Sequence, residues 1–264
     1  MSNPTQETLS DIARASRLKT LDLVYKAQTS HIGSLFSCAE IFATIFSKID
    51  LEKDKMVLSA GWKAAMLYYH LWRKGKITTE QLDSYCQDGS PFIGLAEPII
   101  PDIPLSGGSM GLGMPGAVGL ALAKKLKGED GTVYCLMSDG EMQIGTTWES
   151  ALIATQQKLD NLVVIVDWNG LQAMGPTDDI LSLGDLKNKW RLFNWCATSL
   201  DGHDFEQINW ALSKPNLHGP YIILAHTTKG KGVSFMENNN LYHYKQLSDE
   251  EYNNAKAELN GGNN

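Results

Sequence analysis

Two apolar runs that end in hard-oxygen side chains, with one helix between them, constrain this chain more than any other feature. Thr132–Met137 runs into Asp139, and Leu162–Asp167 runs almost into Asn169, 30 residues further on. Between them, Thr147–Lys158 has the length and spacing of a helix. Short apolar runs bracketed by helices read as buried strands, and a strand–helix–strand crossover leaves both strands parallel. Asp139 and Asn169 therefore leave the same edge of a sheet, the edge at which open α/β sheets bind ligands. Mg2+ takes one or two protein oxygens and fills its octahedron with water and phosphate oxygens. The carbonyl of Leu171, two residues past Asn169, can serve as a third oxygen ligand. Asp139-Gly140 and Asn169-Gly170 are each turn formers on their own. Their joint position after two apolar strands is what points to a cation and a phosphorylated ligand.

The rest of the chain continues the alternation. Apolar spacing predicts helices over Leu9–Ala27, Cys38–Ile49, Lys63–Trp72, Thr79–Tyr85, Met114–Leu126, Leu186–Phe193, Phe205–Leu212 and Asp249–Leu259. Further strands are predicted over Met56–Ser59, Cys196–Leu200 and Pro220–His226. The pattern implies an α/β fold, a three-layer α/β/α arrangement with a mostly parallel sheet covered on both faces. A single domain over residues 1–260 is expected, with Gly261–Asn264 as a frayed tail. The proline-bearing loop Ser90–Gly108 is long for a compact domain, and loops of that length are often functional.

Composition removes several classes of function. A net charge of −7 argues against a nucleic-acid or anionic-membrane surface. No apolar run approaches the roughly 18 residues of a membrane span. Met1–Thr8 has neither the basic start nor the apolar stretch of a secretion signal. The four cysteines are scattered without metal-site spacing, which suits buried thiols in a reducing cytoplasm.

Gly107-Gly108-Ser109-Met110-Gly111-Leu112-Gly113-Met114-Pro115-Gly116 leads into a helix. Such a stretch lets backbone N–H groups approach an oxyanion at a helix N-terminus. Tight helix packing through small residues is the other reading. Gly111–Gly116 is also a literal G-x-G-x-x-G, but a dinucleotide fingerprint needs a strand directly before it. Pro101, Pro104, Gly107 and Gly108 occupy that place. Four histidines sit in distinct settings: His31 in a turn between helices, His243 between two tyrosines, His70 on an apolar helix, and His203 before a helix that Asp204 can cap.

Taken together, Ser138-Asp139-Gly140 followed by Asn169-Gly170-Leu171-Gln172 resembles the G-D-G…N signature of the transketolase family, in its N-terminal, diphosphate-binding domain. Ser30-His31-Ile32-Gly33-Ser34, Gly108–Gly113, Trp148-Glu149-Ser150-Ala151, Asp201-Gly202-His203-Asp204 and Thr228–Asn238 with His243 extend the likeness in collinear order. The resemblance implies the thiamine diphosphate-binding fold, with Asp139, Asn169 and the Leu171 carbonyl holding Mg2+ against the cofactor's diphosphate. Gly108, Ser109 and Met110 would line the cofactor, and Gly140 and Glu141 would lie beside the diphosphate. His31 and His243 would face the thiazolium and substrate, and Glu149 would point across a subunit interface. The implied activity is transfer of a two-carbon ketol unit between sugars or sugar phosphates. The chain resembles the smaller subunit of a split transketolase. The pyrimidine-binding domain and the residues that clamp a sugar phosphate would come from a C-terminal partner subunit, with an α2β2 heterotetramer as the implied assembly.

The sequence also departs from the family pattern. Trp62 stands where the family's S-x-G-H segment has histidine, Leu95 replaces the histidine of a G-H-P stretch, and Ile144 replaces a glutamate. An indole and an isobutyl group cannot act on sugar hydroxyls as imidazoles do. A substrate other than the usual pentose phosphates is therefore expected, a modified or nucleotide-linked sugar being one class. The alternatives are a thiamine diphosphate-dependent decarboxylating synthase or lyase subunit, a nicotinamide-binding enzyme and a non-catalytic binding subunit.

Overall fold

A computed structural model describes residues 7–213 and 219–261. Of the expected tail, residues 262–264 lie outside the described residues, as does most of the polar N-terminal segment. The chain opens with three helices, α1 (Leu9–Ala27), α2 (Ile32–Ser37) and α3 (Ala39–Lys48). Strand β1 (Lys55–Leu58), helices α4 (Ala64–Arg73) and α5 (Thr79–Asp83), and then α6 (Gly113–Lys127) follow. The βαβ unit is β2 (Val133–Ser138), α7 (Gly145–Gln156) and β3 (Leu162–Trp168). A two-stranded ribbon, β4 (Leu171–Gln172) with β5 (Gly175–Pro176), precedes α8 (Thr177–Leu181) and α9 (Leu186–Leu192). The last elements are β6 (Cys196–Asp201), α10 (Phe205–Leu212), β7 (Tyr221–His226) and α11 (Asp249–Leu259).

Helix starts follow from local chemistry. At α1, Thr8 Oγ1 accepts from the Asp11 amide at 3.1 Å while the Asp11 carboxylate accepts from the Thr8 amide, also at 3.1 Å. Thr78 with Gln81 and Ser248 with Glu251 repeat this reciprocal capping at α5 and α11. Helix α6 ends where Gly128 adopts the left-handed conformation, at φ 67°.

The five long strands form one parallel sheet in the order β1-β2-β3-β7-β6. Side chains alternate between its faces, as the strand period requires. Leu136, Ile165 and Ile223 join the core made with α1, α3, α4 and α10, while Cys135, Val164 and Ile222 join the core made with α6, α7 and α9. This is the three-layer α/β/α arrangement expected. The crossovers from β1 to β2, β2 to β3 and β3 to β6 carry α6, α7 and α9 over one face, whereas α10 returns from β6 to β7 over the other. The chain thus reverses its course across the sheet, and β7 enters beside β3. Open α/β sheets take ligands outside the carboxyl ends of their strands.

Two features depart from the expected elements. Helix α2 forms where a turn was expected; it is only six residues long and completely buried. Tertiary packing, not propensity, makes it, since it begins at His31 in the left-handed region (φ 73°) and carries glycine and two serines. The segment around Pro176, where neither helix nor strand was expected, folds into the β4–β5 ribbon and α8.

One buried ion pair ties the helical layer to the strand ends. Arg17 on α1 makes a two-pronged contact with Glu40 on α3, at 2.7 and 2.6 Å. His203 accepts the Thr228 amide at Nε2 (2.8 Å), which leaves Nδ1 to donate to Glu40 at 3.0 Å. Burial alone would raise the Glu40 carboxyl, but His203 and Arg17 outweigh it and hold it down to about 2, against an ordinary value of 4.5. A depressed carboxylate contributes stability that is present above pH 4.5 and is lost as pH falls toward 2. Glu40→Gln should therefore destabilise the protein by about 3–5 kcal/mol at neutral pH, the usual cost of breaking a buried pair. In urea unfolding, its deficit against wild type should shrink across that acid window.

Candidate active site

The cavity lies over the carboxyl ends of β1, β2 and β3 and holds about 410 Å³. Its floor is Asp139, which follows β2 directly and is 2% exposed. Oδ1 accepts from the Gly140 amide at 2.8 Å; Oδ2 accepts from the Gly170 amide at 2.7 Å and from Thr177 Oγ1 at 3.0 Å. All three partners are neutral. Burial pushes the carboxyl up to about 6, the Thr177 bond opposes this, and the neighbouring Asp167 charge adds to the rise. A carboxylate offers roughly four lone-pair sites, so three donors leave Asp139 able to take one more ligand.

Asn169 and Leu171 stand on the next strand's exit and both line the cavity. Asn169 Oδ1 accepts from the Leu171 amide at 3.1 Å, an Asx-type turn that fixes the amide oxygen near the floor. The donor set is thus one carboxylate, one amide oxygen and one main-chain carbonyl. These hard oxygens, with a desolvated acid that has no ion-pair partner among the described residues, fit a magnesium ion shared with a phosphate ligand.

The glycine loop closes one wall. Gly61 and Gly107 touch so closely that a Cβ on Gly61 would lie 2.3 Å from the Gly107 carbonyl carbon. Gly111 sits at φ 79°, and a Cβ there would come within 2.4 Å of Ile144. Its amide donates to Glu141 Oε1 at 3.1 Å and its carbonyl accepts from Thr146 Oγ1 at 2.8 Å. Glu141 is fully buried; it also accepts from Ser59 Oγ, and from the Ser138 amide at 2.8 Å. Its carboxylate therefore ties the loop to the ends of β1 and β2 and is not among the cavity-lining groups. Of the two residues expected beside a diphosphate, Gly140 lines the cavity, and Glu141 lies beneath the loop.

Facing the floor are His31 and His243, with ring centroids 5.1 Å apart in an edge contact. The His31 amide donates to the His243 carbonyl at 2.8 Å, which joins α2 to the segment after β7. Burial, then the Lys229 charge, lowers His31 to about 4 and His243 to about 3, so both are neutral at pH 7. Lys229, completely buried, donates to His243 Nδ1 at 2.8 Å and to the Leu171 carbonyl and Asn240 Oδ1 at 3.3 Å each. His243 consequently carries its proton on Nε2. Burial and the nearby Lys63 charge lower Lys229 to about 8.

The remaining expected residues divide clearly. Gly108 and Met110 line the cavity, whereas Ser109 is exposed and does not. Glu149 is exposed on α7, away from the cavity. Trp62 and Leu95 are both part of the wall; Ile144 instead packs under Gly111. Reasoning from the sequence passed over Lys63, Asp167 and Lys229, all fully buried. Lys63 and Asp167 did leave a signal: each is a charge set directly against an apolar run, and such a charge needs a partner.

Fold and cavity define an α/β protein that takes a small ligand at its strand carboxyl ends, with a cation-ready floor and a glycine-loop wall. The chain matches the family described as transketolase, thiamine diphosphate binding domain, over residues 8–263. It is 33% identical over 264 residues to one of the subunits of the apulose-4-phosphate transketolase of Phocaeicola vulgatus, covering 96% of this chain and 94% of that one. It is 35% identical over 259 residues to a 6-deoxy-6-sulfo-D-fructose transketolase subunit of Clostridium sp., covering 94% of each. The solved transketolase of Campylobacter jejuni superposes with a TM-score of 0.90 at 29% identity over 96% of this chain. The chain spans only 42% of that structure's length. This chain belongs to the transketolase family and comprises its thiamine diphosphate-binding domain.

Glu141→Gln places an amide NH2 where two donors now meet a carboxylate. It should cost about 1–3 kcal/mol, the penalty for unsatisfied buried polar groups. Amide hydrogen exchange should show lost protection confined to residues 107–113 and 138–141, with the outer helices unchanged.

Proposed function

We propose that this chain is the cofactor-binding subunit of a two-chain, thiamine diphosphate- and Mg2+-dependent transketolase-like transferase. It would move a two-carbon ketol unit between sugar substrates. The observation that carries the reading is Asp139: a buried carboxylate without an ion-pair partner among the described residues, at the carboxyl end of β2, beside two further hard oxygens. Asp139, Asn169 and Leu171 would hold the metal, and Gly108, Met110 and Gly140 would lie along the cofactor. When bound, thiamine diphosphate supplies the nucleophilic carbon and the electron sink of the reaction.

The chain's own residues then have distinct tasks. The proton that His243 keeps on Nε2, because Lys229 occupies Nδ1, is available to a substrate oxygen. His31 is held by Ser30 Oγ at Nδ1, 2.9 Å away, and by the His243 carbonyl through its main chain. Both imidazoles are neutral at pH 7, so they can pass or hold a proton without adding charge to the cavity. Trp62, Leu95 and Tyr244 exclude water from the other side.

The cavity rim supports dependence on a partner chain. Leu95, Met110, Met174 and Tyr244 line the cavity and are all exposed. An apolar rim of this kind marks an interaction surface. A C-terminal subunit carrying the pyrimidine-binding domain is the proposed occupant, in an α2β2 assembly with Glu149 directed at the interface. The two relatives named as transketolase subunits, each covered over 94% of its length, support the two-chain reading. The substrates in their names, an apulose phosphate and a sulfofructose, also support a sugar outside the usual pentose phosphates, as do Trp62 and Leu95 in the wall. Among the described residues no helix is long and apolar enough to cross a membrane. The four cysteines are free thiols, which suits the cytoplasm.

Thiamine diphosphate with Mg2+ should raise the melting temperature in proportion to ligand excess, and NAD should not. With the partner chain present, Asp139→Ala should abolish turnover and the thermal shift together. Activity or a thermal shift that survives this substitution would contradict the assignment. Trp62→His should improve kcat/KM for ordinary pentose phosphates by on the order of tenfold relative to the native donor.

A further inference from the structure

Two carboxylates stand at adjacent strand ends beneath the cavity, and only one of them is free to face it. Asp167, on β3, pairs in register with Ser138, the residue before Asp139. It is 0% exposed. Both of its oxygens are engaged: Oδ1 accepts from Thr227 Oγ1, and Oδ2 accepts from Ser37 Oγ at 2.6 Å and from Lys63 Nζ. Lys63 is itself 0% exposed and donates a further bond to the Ser34 carbonyl at 2.8 Å. It follows Trp62 in a 3-10 turn, Gly61–Lys63, so it reaches the floor from the segment that also supplies the aromatic wall. Complete burial would discharge a lone lysine, but the Asp167 charge outweighs burial and keeps the ammonium protonated.

We propose that Lys63 is a positioning residue for the cation–diphosphate site: it clamps Asp167 out of the cavity and cancels its charge, so that the floor offers a divalent cation one free carboxylate. This rests on the cofactor reading given above. The electrostatics follow from the buried charges at the site. Lys63 is paired with Asp167, and Lys229 donates only to neutral groups, so the Asp139 carboxylate is the anion left for a divalent cation. Without Lys63, a second carboxylate stands uncompensated beside Asp139 in a medium where charges act strongly. A floor of that kind captures a bare cation more tightly and repels the diphosphate that must share it. Magnesium sites serving phosphates keep few carboxylates for this reason, leaving coordination positions to the ligand. Lys229 cannot substitute, because its three donors are already spent on Leu171, Asn240 and His243.

The test is Mn2+ titration of the full chain by electron paramagnetic resonance, first with the metal alone and then with thiamine diphosphate at saturating metal. Lys63→Met should bind Mn2+ alone at least about fivefold tighter and thiamine diphosphate about fivefold more weakly. The double variant Lys63→Met/Asp167→Asn, which removes both charges and keeps the volume, should restore both affinities to within about twofold of wild type. Unchanged affinities in Lys63→Met, or a double variant that behaves like the single one, would overturn the proposal. If Lys63→Met does not fold, Asp167→Asn gives the opposite test: it must bind Mn2+ more weakly than wild type, and equal binding refutes the clamp. A wild-type chain that binds no Mn2+ would sink the metal reading itself, an outcome distinct from a wild type that binds and a variant that does not differ.

Discussion

A carboxylate buried without an ion-pair partner among the described residues is the constraint around which this protein is organised. Asp139 is held in place by two main-chain amides and one threonine hydroxyl, none of them charged. Its position is dictated by topology: β2 delivers it to the edge, β3 delivers Asn169 and Leu171 beside it, and the segment after β1 supplies Trp62 and Lys63 to the same cavity. Burying an anion without a cation is costly, so the fold stores an electrostatic demand that a bound divalent ion would satisfy. The neighbouring acid shows the contrast, since Asp167 is met by Lys63 and pushed down where Asp139 is pushed up.

Around this point, charged side chains act mainly by holding backbone in place. Glu141 gathers donors from Ser59, Gly111 and Ser138 and so fixes the glycine loop against two strand ends. Arg17, Glu40 and His203 tie the first helices to the turn beyond β6 and to the exit of β7. Lys229 fixes the protonation pattern of His243. Each of these groups is buried and each is satisfied by specific partners, which is the condition for a polar network to rigidify a site. The apolar, exposed rim is the counterpart: it is where the proposed partner chain would dock.

Much of the fold was legible in the sequence because its signals were local. Helices α1, α10 and α11 have the bounds that spacing and caps indicate, and the five strands of the parallel sheet differ only by a residue or so at their ends. Helix α2 was not legible, because six residues with glycine and serine form a helix only when packing on every side holds them. In the site, Asp139 and Asn169 could be found from their place after apolar strands. Glu141 lay in the same motif, but its direction depends on Gly111, thirty residues earlier in the chain, and no spacing rule carries that information. Lys63 and Asp167 meet across 104 residues; each was visible as a charge against an apolar run, while the pairing was not. Trp62 and Leu95 were recognised as departures from a family pattern, and both prove to be wall residues. Ile144, recognised in the same way, is a packing residue under the loop.

The central claim, that the floor at the end of β2 and β3 is a divalent-cation site shared with a diphosphate, can be tested by anomalous diffraction. Crystals of the chain with its partner, grown with thiamine diphosphate and Mn2+, would locate the metal directly. The expected result is one anomalous peak bounded by the Asp139 carboxylate, the Asn169 side-chain oxygen and the Leu171 carbonyl, in contact with the diphosphate. A diphosphate bound elsewhere, or bound in this cavity with no metal against Asp139, would contradict it.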